Sequence, residues 1–224
     1  METHAPNHHA HHHGFAGASG TALAILMAAR SGDRARLAVE LTGVGPQDTV
    51  VDLGCGPGNA VRRAARLGAT AIGVDPARVM RRVATALSLG RARVRYLDGS
   101  AEAIPLDDAS ATVVWSIATV HHWQDIDAGL AETRRVLRPG GRFLAAERHS
   151  QPGAQGLASH GWTPEQAEAF AAACRAHGFI DVRVEEHHMD RHDVLAVLAT
   201  APVRLRRLAQ EAGSGIGMAV TPRA

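Results

Sequence analysis

The segment Thr49-Val50-Val51-Asp52-Leu53-Gly54-Cys55-Gly56-Pro57-Gly58-Asn59 constrains this chain more than any other. A β-branched run ends in an acid, Gly54, Gly56 and Gly58 follow at alternate positions, and an apolar helical stretch begins. Glycine tolerates positive φ and has no Cβ to block a close approach, while free N–H groups at a helix start favour an anionic group. A strand, glycine loop and helix in this order predict bare backbone beside a ligand that carries a carboxylate or a phosphate.

Spacing separates two ligand classes. The dinucleotide pattern G-x-G-x-x-G needs its third glycine for close packing of helix on strand, and here that position is Asn59. The loop instead reads G-x-G-x-G, with Asp52 before it and Asp75 closing the next predicted strand, Ala71-Ile72-Gly73-Val74-Asp75. An acid at that strand end accepts hydrogen bonds from ribose hydroxyls. At these residues the chain resembles the class I S-adenosylmethionine-dependent methyltransferases, and within them the small-molecule branch that includes the quinone-ring methyltransferases.

Four further segments carry the resemblance in order. Gly99-Ser100-Ala101-Glu102-Ala103-Ile104-Pro105-Leu106 is similar to the family's adenine-side motif, and Val113-Val114-Trp115-Ser116 to its fourth strand. Val120-His121-His122-Trp123 is similar to the segment after that strand. Arg135-Val136-Leu137-Arg138-Pro139-Gly140-Gly141-Arg142-Phe143 is similar to the turn into strand five. The resemblance covers roughly residues 45 to 150. It implies S-adenosyl-L-methionine as cofactor, held by Asp52, Gly54, Cys55, Gly56, Gly58, Asp75, Pro76, Ser100, Ala101 and Ser116. Asp75 also fits a helix N-cap ahead of Pro76. Two positions depart from the pattern. Ser100 stands where the family usually has Asp, with Asp98 or Glu102 as candidate substitutes, and Ala111-Thr112 stands where Phe-Asp is common.

Strands near 49–53, 70–75, 93–97, 111–117 and 141–147 alternate with helices near 58–67, 77–88 and 126–137. This rhythm predicts an α/β, doubly wound, mostly parallel sheet. The family implies a Rossmann-like sheet of seven strands with the last antiparallel. Thr163-Pro164-Glu165-Gln166 starts another helix with a capping hydroxyl, Pro at the first helical position and Gln three residues on. That helix runs to about His177, and Asp181–His188 and Asp193–Thr200 follow as an antiparallel pair. Residues 21–201 are expected to form one methyltransferase domain, with N-terminal helices at 21–44 and a cofactor-binding core at 45–150. The His-rich tract at 1–20 and residues 202–224 are expected to be flexible tails.

Methyl transfer from a sulfonium is largely a matter of position, and a general base is needed only for acceptors of high pKa. His121 and His122 follow the fourth strand, where ligands of open α/β sheets bind, and are the candidate catalytic residues. They equally fit helix-entry residues packing beside Trp123. The Gly/Ser-rich stretch from His149 to Gly161 reads as a lid, with His149, His160 and Trp162 as further candidates. Glu185-Glu186-His187-His188 invites a metal reading, but alternation sends strand neighbours to opposite faces, so a polar hairpin with no metal is expected.

All 24 basic residues are Arg, against 22 acids, so the formal charge is only +2. That balance argues against nucleic acid as a partner, and the absence of Lys excludes Schiff-base chemistry. Cys55 and Cys174 form no disulfide framework, and no apolar run reaches membrane-spanning length. A cytoplasmic enzyme acting on a small-molecule acceptor is the expectation. A catalytically silent S-adenosylmethionine or S-adenosylhomocysteine binder is the alternative, with an NAD-dependent dehydrogenase third. No pattern singles out an oligomeric state or an acceptor.

Overall fold

The computed structural model describes residues 32–154, 160–190 and 192–203. The expected tails and the helix over Thr21–Arg30 lie outside these residues, wholly or in their greater part, as do 155–159 of the expected lid. In chain order the elements are α1 (Gly32–Thr42), β1 (Thr49–Leu53), α2 (Asn59–Arg66), β2 (Thr70–Val74), α3 (Arg78–Ala86) and β3 (Val94–Leu97). There follow β4 (Ala111–Ile117), α4 (Ile126–Val136), β5 (Leu137–Arg148), α5 (Pro164–Ala176), β6 (Ile180–His187) and β7 (Val194–Thr200).

One seven-stranded sheet runs in the order β3-β2-β1-β4-β5-β7-β6. The neighbours from β3 to β5 are parallel, and β7 is antiparallel to both β5 and β6. The order reverses direction between β1 and β4, which opens a crevice at their carboxyl ends. The doubly wound fold with an antiparallel last strand is as expected.

Side chains alternate across the sheet with period two. Phe143 and Ala145 of β5 join the core under α4 and α5, whereas Leu144 and Ala146 join the core under α1 and α2. Trp115 is fully buried on the second face, and its indole N–H donates to the Thr42 hydroxyl at 3.1 Å, which docks α1. Strand five begins earlier than expected, at Leu137. Pairing jumps from Ala111↔Leu137 to Val113↔Arg142, so Arg138–Gly141 bulges out, fastened by reciprocal backbone bonds between Gly140, Gly141 and Ala201.

The start of α5 forms as expected. The Thr163 hydroxyl accepts the Gln166 N–H, the Gln166 side chain accepts the Thr163 N–H, and Pro164 stands at the first helical position. Gly178, at φ 78°, ends it in the left-handed conformation. Among the described residues, no helix is long and apolar enough to cross a membrane.

Candidate active site

The glycine loop leaves β1 and turns over the end of β2. The N–H groups of Gly54 and Cys55 both donate to the Val74 carbonyl, at 2.8 and 3.1 Å. Gly54, Gly56 and Gly58 all have positive φ, at 66°, 50° and 78°. Two of these glycines also answer to protein packing, which the sequence did not reveal. A Cβ on Gly54 would lie 2.5 Å from the Thr119 methyl, and a Cβ on Gly58 would run into the Tyr96 ring. The loop is thus closed against Thr119 on one side and Tyr96 on the other.

Two buried acids flank the loop. Asp75 is 6% exposed; its Oδ2 accepts the Gly56 N–H and its Oδ1 the Ala77 N–H, each at 2.8 Å. The expected N-cap role is corrected here. Ala77 is the cap of α3 and contributes no side-chain bond, while Asp75 closes a turn around Pro76 three residues before the helix. Burial raises the Asp75 carboxyl pKa, and the two backbone donors oppose that rise. Asp52 is 3% exposed, and burial pushes its carboxyl up to about 8, with the charge of Asp75 adding to the effect. Burial likewise raises the Cys55 thiol well above its ordinary value, with Asp52 and Asp75 adding to it, so Cys55 stays a neutral packing group.

On the far side of the crevice, Ser100 is half-buried and bridges to Ala103, and Ala101 is buried. Both candidate substitutes for an acid at position 100 already hold a partner. Asp98 is exposed and pairs with Arg81 at 2.8 Å, and Glu102 accepts the Gln124 N–H at 2.7 Å, fastening the entry to α4.

At the end of β4 the buried Ser116 hydroxyl bonds that of Thr119 at 2.7 Å, and Thr119 donates to the Leu53 carbonyl at 2.9 Å. Ala118 is held at φ 56°, a conformation that strains a non-glycine residue, by donating to Ala146 at 2.7 Å. This pinned turn leads into a short 3-10 turn over Val120–His122. There the two histidines part. His121 is half-buried with its Nδ1 3.0 Å from Oε2 of Glu147, while His122 is exposed. Glu147 is 1% exposed, and its Oε1 accepts the Val120 N–H at 2.7 Å. A carboxylate in its ionised form accepts from the Nδ1–H tautomer of His121, the tautomer in which Nε2 is the acceptor.

His160 completes a ring cluster, with its centroid 5.1 Å from His121 and 5.9 Å from His122. Arg34 of α1 feels the charges of Glu147 and Arg148 and donates to His192 at 3.3 Å. Trp162, expected on the lid, is instead core: it is 6% exposed, stacks 4.9 Å from Phe170, and ties the loop's foot to Arg148 and Ser150 through backbone bonds. Thr119, Tyr96, Glu147 and Arg34 escaped the sequence reading. Only Glu147 left a signal there, an acid at a core-facing position of an apolar strand.

A family profile described as a methyltransferase domain matches residues 51–145. The ubiquinone/menaquinone biosynthesis C-methyltransferase of Rubrivivax gelatinosus is 39% identical over 98 residues, 44% of this chain and 38% of that protein. An uncharacterised methyltransferase of Mycobacterium tuberculosis is 41% identical over 94 residues, 42% of this chain and 37% of that protein. The chain therefore spans well under two thirds of the length of these curated relatives. A methyltransferase structure from Aquifex aeolicus, described as S-adenosylmethionine-dependent, superposes with a TM-score of 0.67 at 16% identity, covering 81% of this chain and 98% of that one. At that identity the likeness shows the fold.

Proposed function

We propose that the chain is a class I S-adenosylmethionine-dependent methyltransferase that methylates a small-molecule acceptor, with His121 as the general base; the methyltransferase-domain match over residues 51–145 and the similarity to a C-methyltransferase support this reading. The observation that carries this reading is the bond from His121 to the buried Glu147, beside a turn fastened to the glycine loop.

S-adenosylmethionine, when bound, supplies a methyl group already activated by its sulfonium charge. The residues fit such a ligand, since Asp52 and Asp75 are buried acids at neighbouring strand ends and suit a cation and a pair of hydroxyls. Each Asp75 oxygen accepts one backbone N–H and keeps a lone pair for a ribose hydroxyl. Gly54, Gly56 and Gly58 bring backbone close to the ligand, and Cys55 and Pro76 shape the loop around it. Ser100 and Ala101 border the adenine side. Ser116 acts through Thr119, which ties the histidine turn to Leu53.

His121 Nε2 takes the acceptor's proton as the methyl bond forms, and Glu147 fixes the tautomer and balances the imidazolium. His122 and His160 border the acceptor side. The relative named as a ubiquinone/menaquinone biosynthesis C-methyltransferase supports an acceptor that becomes nucleophilic on losing a proton. A silent binder has no use for an oriented base, so this pair favours the enzyme over that alternative.

The test is an acceptor screen with label in the donor methyl, run on wild type and His121→Ala. The expected result is labelled product, with turnover in His121→Ala reduced by about 10²–10⁴-fold and S-adenosylhomocysteine affinity unchanged. Equal turnover in the two proteins overturns the base assignment.

A further inference from the structure

Three strand ends at the carboxyl edge of the sheet set metal-ligating side chains in a row. Pairing of β5 with β7 ends at Arg148↔Val194, and pairing of β6 with β7 at His187↔Val194. One residue further along, His149, Asp193 and His188 stand side by side, and Glu186 lies two residues back on the face of His188. The side chains meet accordingly. His149 Nδ1 is 2.6 Å from Glu186 Oε1, and His188 Nδ1 is 2.9 Å from Asp193 Oδ1. The His149 N–H donates to the Asp193 carbonyl at 2.8 Å, so the backbone between them is fixed. Ligand atoms of His149, Glu186 and Asp193 all lie within 4.8 Å of one another. Strand alternation does part neighbours as expected, since His187 pairs with Glu185 instead, at 3.0 Å. A ligand from the adjoining β5 is what completes the set.

We propose that His149, Glu186 and Asp193, joined by His188, bind a divalent zinc-class ion. Tetrahedral bonds of ~2.1 Å put neighbouring ligand atoms ~3.4 Å apart. The 2.6 Å contact therefore opens, and the wider separations within 4.8 Å close, by side-chain rotation alone. His188 is 84% exposed and free to turn toward the ion. Two imidazoles with two carboxylates suit zinc and its first-row neighbours better than calcium or magnesium, which prefer oxygen ligands alone. A bound ion joins the β6–β7 hairpin to the end of β5. It stands apart from the methyl-transfer reading.

The test titrates the metal-free full chain with Zn²⁺ and compares wild type with Glu186→Gln, Asp193→Asn and His149→Ala. Residues 4, 8, 9, 11, 12 and 13 are also histidines and are the same in every variant, so any metal they take cancels and the comparison isolates the strand-edge site. The expected result is loss of one equivalent of Zn²⁺ in His149→Ala and Asp193→Asn, and weakening by at least ~10-fold in Glu186→Gln. Zn²⁺ is also expected to raise the Tm of wild type and not of Asp193→Asn, because a site formed only on folding stabilises the fold. Co²⁺ gives the visible absorption of a tetrahedral site in wild type alone. Identical stoichiometry, Tm response and Co²⁺ spectrum in all four proteins overturn the proposal and leave the cluster as an ion-pair network.

Discussion

The imidazole Nδ1 of His121 lies 3.0 Å from a carboxylate, Glu147, that is almost wholly enclosed by protein. Glu147 occupies a core-facing position of β5, two residues beyond Ala145 in the apolar layer under α4 and α5. A buried acid is costly unless its lone pairs are used, and here Val120 N–H and His121 use them. The pair therefore fixes the ring's orientation.

Glu147→Gln tests that role. The amide keeps the size and can still accept the Val120 N–H, but it then presents N–H to Nδ1 and moves the ring proton to Nε2. Turnover is expected to fall by about 10²–10⁴-fold with S-adenosylhomocysteine affinity near wild type.

Asp52 makes a prediction about pH. Its carboxyl is raised to about 8 by burial, so the folded state holds a proton that the unfolded state releases near 4. Its contribution to stability is full at acid pH and falls as pH rises through about 8. Asp52→Asn is expected to flatten the decline in Tm between about pH 4 and 8, the window these values define. A cation bound beside Asp52 favours its ionised form. Binding of S-adenosylmethionine near pH 7, roughly a unit below the raised value, is therefore expected to release a proton. Calorimetry in buffers of different ionisation enthalpy reads this directly, and no release in wild type removes Asp52 from the donor site.

Gly54 is expected to resist substitution for two separable reasons. Alanine there meets the Thr119 methyl and must adopt a left-handed backbone. Overpacking and the left-handed conformation together cost about 2–4 kcal/mol. Adding Thr119→Ser removes the methyl but leaves the Cβ at 2.8 Å and the hydroxyl at 3.0 Å, and is expected to restore only a small part of that loss. Urea unfolding of the single and double variants measures both terms.

Much of the fold was legible because its signals are local. The β-branched runs, the Thr163 capping box and the glycine at 178 each mark an element by its own chemistry. The bulge at Arg138–Gly141 was not, since it depends on pairing with Ala201, sixty residues away in the chain. The site was legible in part. Asp52, Asp75 and the glycines come together at one strand-end crevice, but Thr119 from the turn after β4 and Tyr96 from β3 left no local pattern. His121 and His122 were indistinguishable as neighbours in sequence, and only Glu147 from β5 separates them. Glu102 reads as a spare acid until Gln124 is seen to bond it.

The account rests on S-adenosylmethionine as the ligand of the glycine loop, and calorimetric titration of wild type and Asp75→Ala with S-adenosylhomocysteine, with NAD in parallel, tests it most directly. The predicted result is saturable binding of S-adenosylhomocysteine, weakened in Asp75→Ala by about 1.5–3 kcal/mol through loss of charge-assisted bonds, and no binding of NAD. Saturable NAD binding, or S-adenosylhomocysteine affinity unchanged in Asp75→Ala, would contradict it.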